Sequence, residues 1–87
     1  MYKNRAENGA NNICGARVKS YREALPSHPS QKRFADMLQV EGLDIDKNAV
    51  QRIESGQRFV TDIELRVIAR VLKVSYGDLL DYKPQGL

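Results

Sequence analysis

The window D-K-N-A-V-Q-R-I-E-S-G, residues 46–56, constrains this chain more than any other stretch. Asp46 has the side chain of an N-cap, able to accept a backbone N–H from the first turn of a helix. Gly56 is free to take the left-handed conformation that closes one. Roughly three turns fit between them. Val50 and Ile53 lie three apart and share a face, with Ala49 beside them. Lys47, Asn48, Gln51, Arg52 and Ser55 fall on the other faces. The predicted helix therefore has one narrow apolar stripe and an outer surface of long hydrogen-bonding side chains. A bland solvated helix would carry more Glu-to-Lys pairs four apart and fewer amides. At base edges in a major groove, Arg and Lys recognise guanine, and Asn and Gln recognise adenine. Residue types alone leave two readings open, a solvated face and a base-reading face.

The flanking residues predict four more helices. Residues 30–41 read as a helix capped by Ser30, with Phe34, Ala35 and Leu38 as its apolar stripe and Met37 and Val40 turned at least partly inward. Gly42-Leu43-Asp44-Ile45 joins it to the first window, with Leu43 and Ile45 expected to plug the gap. Before it, residues 13–25 carry Val18, Tyr21 and Leu25 on one stripe, with Cys14 a turn earlier as a small buried hydrophobe. Pro26 and Pro29 end that helix. After the window, Gln57-Arg58 leads to Thr61-Asp62-Ile63-Glu64, a capping box. The helix it opens runs to about Leu72, with Ile63, Val67 and Val71 at i, i+4 and i+8 and Leu65, Ile68 and Leu72 beside them, one wide stripe that makes it the main core helix. Ser75-x-x-Asp78 caps a last short helix bearing Leu79 and Leu80. The expected fold is all-α, a compact five-helix bundle.

Eighty-seven residues make one domain, marginal in stability when alone. Residues 1–12 read as a disordered polar arm, 13–82 as the domain and 83–87 as a tail. Lys3 and Arg5 in the arm are candidates to reach phosphates or a minor groove. No apolar run approaches the length of a membrane span, and the arm holds no signal-peptide stretch. One cysteine excludes an internal disulfide and fits a reducing cytoplasm. The net charge is +3, of which residues 1–22 hold +4, while residues 30–58 hold five basic and five acidic side chains. Bulk charge therefore does not single out the central helices.

From about residue 15 to 80 the chain resembles the phage-repressor-like helix-turn-helix family (the Cro/repressor or XRE type). The matching residues are Arg17-Val18 and Arg22, then Ser30-Gln31 with Phe34-Ala35 and Leu38. Val50-x-x-Ile53-Glu54-x-Gly56-x-Arg58 follows, then Ile68-Ala69-x-Val71-Leu72-x-Val74-Ser75 and Leu79-Leu80. The chain departs from the family between Ala35 and Val50, which lie fifteen positions apart where the compact form has about ten. The resemblance implies a lambda-repressor-like DNA-binding domain. It also implies that Arg22 pairs with Glu54, tying the first helix to the end of the third. By position it makes Lys47, Asn48 and Arg52 the best base readers, with Gln51 at a neighbouring base or phosphate.

The function expected from these readings is sequence-specific binding of double-stranded DNA by a transcriptional repressor. Gln31, Lys32 and Arg58 are the expected phosphate contacts. Gln31 stands at a first helical position, where backbone N–H and amide both suit an anion. No cofactor, metal, small-molecule ligand or membrane is called for. His28 is alone in its loop, and no nucleophile–base pair or phosphate loop suggests an enzyme. Tyr76, Leu79, Leu80 and Tyr82 form an apolar C-terminal surface that suggests a weak homodimer. Localisation is expected to be cytoplasmic, on the nucleoid. No effector domain is expected beyond Leu87. The competing reading is a protein-interaction module, an antitoxin or adaptor, favoured by the zero net charge of residues 30–58.

Overall fold

The computed structural model describes residues 9–81. Five helices follow one another: α1 (Gly15–Ala24), α2 (Gln31–Val40), α3 (Lys47–Glu54), α4 (Asp62–Leu72) and α5 (Tyr76–Leu80). No strand occurs among the described residues. The architecture is the all-helical bundle with a helix-turn-helix that the sequence pattern predicts, α2 and α3 being its two paired helices.

Local chemistry fixes where four of the helices begin. Ser30 Oγ accepts the Arg33 N–H at 3.1 Å, and Asp46 Oδ1 accepts the Ala49 N–H at 2.8 Å. Thr61 and Ser75 each close a capping box, with Glu64 and Asp78 reaching back to the cap backbone. Such a cap is worth about 1 kcal/mol. At the other end of α3, Gly56 adopts φ +83, the left-handed geometry its position demands.

Phe34, Leu38, Val50, Ile53, Ile68 and Leu79 are fully buried and join all helices but α1 in one core, to which α1 adds Val18. Cys14 is 2 % exposed, and burial pushes its thiol up, so it stays a protonated small hydrophobe. Two expectations are corrected. Of the wide stripe expected on α4, Ile68 and Leu72 are buried, with Ala69 between them, and the inward face centres on these three rather than on Ile63, Val67 and Val71. Successive helical residues turn by about 100°, so the latter lie to one side: Val67 and Val71 are half-buried, and Ile63 is 71 % exposed. Val40 is 83 % exposed, because it stands two residues past Leu38 and so points away from the core.

The long connection between α2 and α3 is fastened rather than loose. Ile45 is buried and Leu43 packs against the core, as expected of plugs. Gln39 Nε2 donates to the Ile45 carbonyl at 2.7 Å, and the Leu43 N–H donates to the Leu38 carbonyl at 2.9 Å. The extra residues thus brace α3 instead of freeing it.

Candidate nucleic-acid interface

The outer face of α3 carries Lys47, Asn48, Gln51 and Arg52, all exposed, while Val50, Ile53 and Glu54 are buried. Among the described residues these four outward side chains make no hydrogen bond to the rest of the chain. Ser55 Oγ returns to the Arg52 carbonyl and helps close the last turn. The helix therefore presents two amides and two cations, unengaged, from a backbone whose other face is locked.

The lock is a buried ion pair. Arg22 Nε donates to Glu54 Oε2 at 2.7 Å and Nη2 to Oε1 at 3.0 Å, the bidentate geometry that suits a guanidinium. Hydrogen bonding to Glu54 raises the Arg22 pKa further above its ordinary value, against the opposing effect of burial. Arg22 Nη1 also donates to the Pro29 carbonyl at 2.9 Å, and Gln31 Nε2 to Glu54 Oε1 at 3.0 Å. The Arg22–Glu54 pair thus ties the end of α3 to α1, the loop after it and the start of α2. The side-chain amide expected at a phosphate is partly spent here; the Gln31 N–H remains one of the N-terminal donors that lack an intrahelical carbonyl.

A second clamp escaped the sequence reading. Asn11 and Asn12, placed in the disordered arm, are fastened to the end of α3. The Asn11 N–H donates to the Gly56 carbonyl at 2.8 Å, and its Nδ2 to the Gln57 carbonyl at 2.8 Å. Asn12 Nδ2 donates to the carbonyls of Ile53 at 3.1 Å and Arg58 at 2.7 Å, while its Oδ1 accepts the Gly15 N–H at 2.8 Å. One amide joins the start of α1, the end of α3 and the loop beyond. Helix α1 has no capping side chain at Cys14, so Asn12 supplies the acceptor. The approach is close enough that a Cβ at Gly15 would collide with the Ile53 carbonyl oxygen. Asn12→Ala leaves these partners unsatisfied and is expected to cost about 1–3 kcal/mol in urea unfolding; an effect below about 0.5 kcal/mol, within the range of ordinary surface changes, would show that the clamp is idle. Residues 1–8 of the arm, with Lys3 and Arg5, lie outside the described residues, as do Tyr82 and the tail.

Arg58 differs most from expectation. Its guanidinium is bidentate on Glu64, Nη1 to Oε1 at 2.9 Å and Nη2 to Oε2 at 2.8 Å. Nη1 also reaches the Phe59 carbonyl at 3.2 Å. The pair braces the loop after α3 against the capping box of α4, where Glu64 Oε1 also accepts the Thr61 N–H. Arg58 hydrogen bonding holds the Glu64 carboxyl below its ordinary value, despite partial burial. A depressed carboxyl stabilises the fold above the unfolded pKa and loses that contribution as pH falls through the folded one. The stability gap between the wild type and Glu64→Gln should be full at pH 7 and shrink below about pH 4.3. Urea midpoints across that range test this, and a gap independent of pH would contradict it. Lys32, by contrast, is highly exposed and shares only a surface pair with Asp36, at 3.2 Å.

Four of the five acids in residues 30–58 are engaged within the fold, and the fifth, Asp44, is exposed. Glu54 is neutralised by Arg22, from outside the window, and Asp36 faces Lys32. Asp46 is turned to its own helix N-terminus, and Glu41 lies 3.8 Å from Arg70. Among the described residues, Lys47 and Arg52 have no such partner. Among the described residues no group of His, Cys, Asp and Glu could hold a metal ion, and no helix is long and apolar enough to cross a membrane.

No family model matches the chain, and no curated protein matches it. A solved structure does. The restriction-modification controller protein C.AhdI from Aeromonas hydrophila superposes with a TM-score of 0.63 at 26% sequence identity, over 76% of this chain and 86% of that one. The two chains share their fold over most of their lengths.

Proposed function

We propose that this chain is a transcriptional regulator of the phage-repressor-like type, which binds double-stranded DNA sequence-specifically and acts as a repressor. One observation carries the reading: α3 exposes Lys47, Asn48, Gln51 and Arg52 unengaged, while Glu54 and the Asn12 clamp fix its far end. A rigid helix with free amides and cations suits the major groove, its N-terminal residues at the base edges. Lys47, Asn48 and Arg52 read bases, and Gln51 a base or an adjacent phosphate. Lys32 and the N–H of Gln31 hold the backbone; Arg58 joins them only by giving up Glu64. The likeness to a restriction-modification controller supports a regulatory role.

Two copies are proposed to act together, since one such unit reads about half a site. Ile63 is 71 %, Tyr76 53 % and Leu80 39 % exposed around one open face of α4 and α5. Leu79, in contrast, is wholly buried in its own core and is not part of that face.

Titration against random duplex DNA at low and moderate salt tests the reading. Non-specific affinity should be roughly micromolar or weaker and fall steeply with salt, and Lys32→Ala should reduce the salt slope by about one. Binding absent at low salt would leave the protein-interaction module instead.

A further inference from the structure

We propose that the groove between α2 and α4 is a docking site for an acidic amphipathic helix of a partner protein, independent of the DNA-reading face. The groove has a volume of about 400 Å³. Its floor is apolar: Met37 and Val71 are half-buried, and Val40 stands at its edge, the most exposed large hydrophobic residue of the described chain. A valine left 83 % exposed at the lip of a groove has no packing role in the isolated domain. Runs of apolar residues along one face of a partner helix fit such a floor.

The rim decides the sign of the occupant. Arg33, Arg70 and Lys73 line the groove, and Arg66 continues the row one turn earlier on α4, in the adjoining pocket that shares Arg70. Against them stand Asp36 and Glu41. Asp36 is engaged by Lys32 at 3.2 Å, and Glu41 only by Arg70 at 3.8 Å. Arg33, Arg66 and Lys73 have no ion-pair partner among the described residues. Carboxylates flanking the apolar stripe of a partner helix would complement them.

Other occupants fit less well. Residues 1–8 carry Lys3 and Arg5 against one acid, Glu7, and residues 82–87 carry Lys83 and no acidic side chain, so neither segment brings the acidic face that a basic rim calls for. A second copy is itself net positive. A nucleic acid would match the charge but leave Met37, Val40 and Val71 uncovered.

Peptide display tests the proposal. Random peptides of about sixteen residues, long enough for two apolar anchors a turn apart and their flanks, are selected on the full chain. Enriched peptides should carry Asp or Glu beside apolar residues three or four apart. Synthetic copies should bind the wild type and shift the amide resonances of Met37, Val40 and Val71. Val40→Asp, a surface change that leaves the fold intact, should weaken them by about tenfold or more, as should Arg70→Glu with Lys73→Glu. Val40→Asp should keep the duplex affinity of the wild type, so the groove and the DNA reading fail separately. No enrichment, enrichment of basic peptides, or equal binding to Val40→Asp would overturn the proposal. So would groove resonances that move with the chain's own concentration, which would indicate a second copy, or with added duplex.

Discussion

Glu54→Ala is expected to destabilise the domain by about 3–5 kcal/mol, because it leaves the Arg22 guanidinium buried without its carboxylate. Side-chain exposures of 9% for Arg22 and 3% for Glu54 put both partners beyond the reach of bulk water. A domain of this size has a total stability of roughly 5–15 kcal/mol, so the variant loses a large fraction of it and should unfold at a markedly lower urea concentration. Arg22→Ala should cost less, since Gln31 still donates to the carboxylate that remains. Arg22→Met with Glu54→Leu should recover much of the loss, because a desolvated ion pair stabilises little against apolar residues of similar volume. Urea unfolding of the wild type, Arg22→Met, Glu54→Leu and the double variant forms a double-mutant cycle. Strong coupling is the expected outcome. Additive effects would contradict the structural account of the pair.

The second large effect is on DNA. Asn48→Ala and Arg52→Ala should each weaken binding to the selected site by about 1–3 kcal/mol and relax preference at one base pair. Both residues are exposed and unengaged, so urea midpoints should stay within about 0.5 kcal/mol of the wild type. The contrast with Glu54→Ala separates a residue that reads from a residue that holds the reader in place. Should both variants retain the affinity and the site preference of the wild type, α3 is not the base-reading element.

The fold was legible because local signals agree with one another. Ser30, Asp46, Thr61 and Ser75 all cap the helices their spacing predicts, and Gly56 takes the left-handed geometry. Periodicity found α4 but misplaced its inward face by about one residue's turn, since a broad apolar stripe does not mark its own centre. That error turned Ile63 from surface into core. The exposed outer face of α3 was legible because residue type alone decides it. The site was not legible where partners come from far along the chain. Arg58 looked like a phosphate ligand because its partner, Glu64, already had a complete role in the capping box, and one carboxylate serves both. Asn12 looked like part of a polar arm because its partners lie 41 and 46 residues away, on backbone carbonyls that have no sequence signature. The resemblance that placed Arg22 opposite Glu54 supplied the long-range pairing that the residues alone did not give.

The central claim, that α3 reads the duplex, is tested most directly by mapping amide and side-chain resonances of the labelled chain as a selected duplex is added. The account predicts the largest shifts at Lys47, Asn48, Gln51 and Arg52, with smaller ones at Gln31 and Lys32. Shifts confined to α4 and α5, or none at saturating duplex, would contradict it.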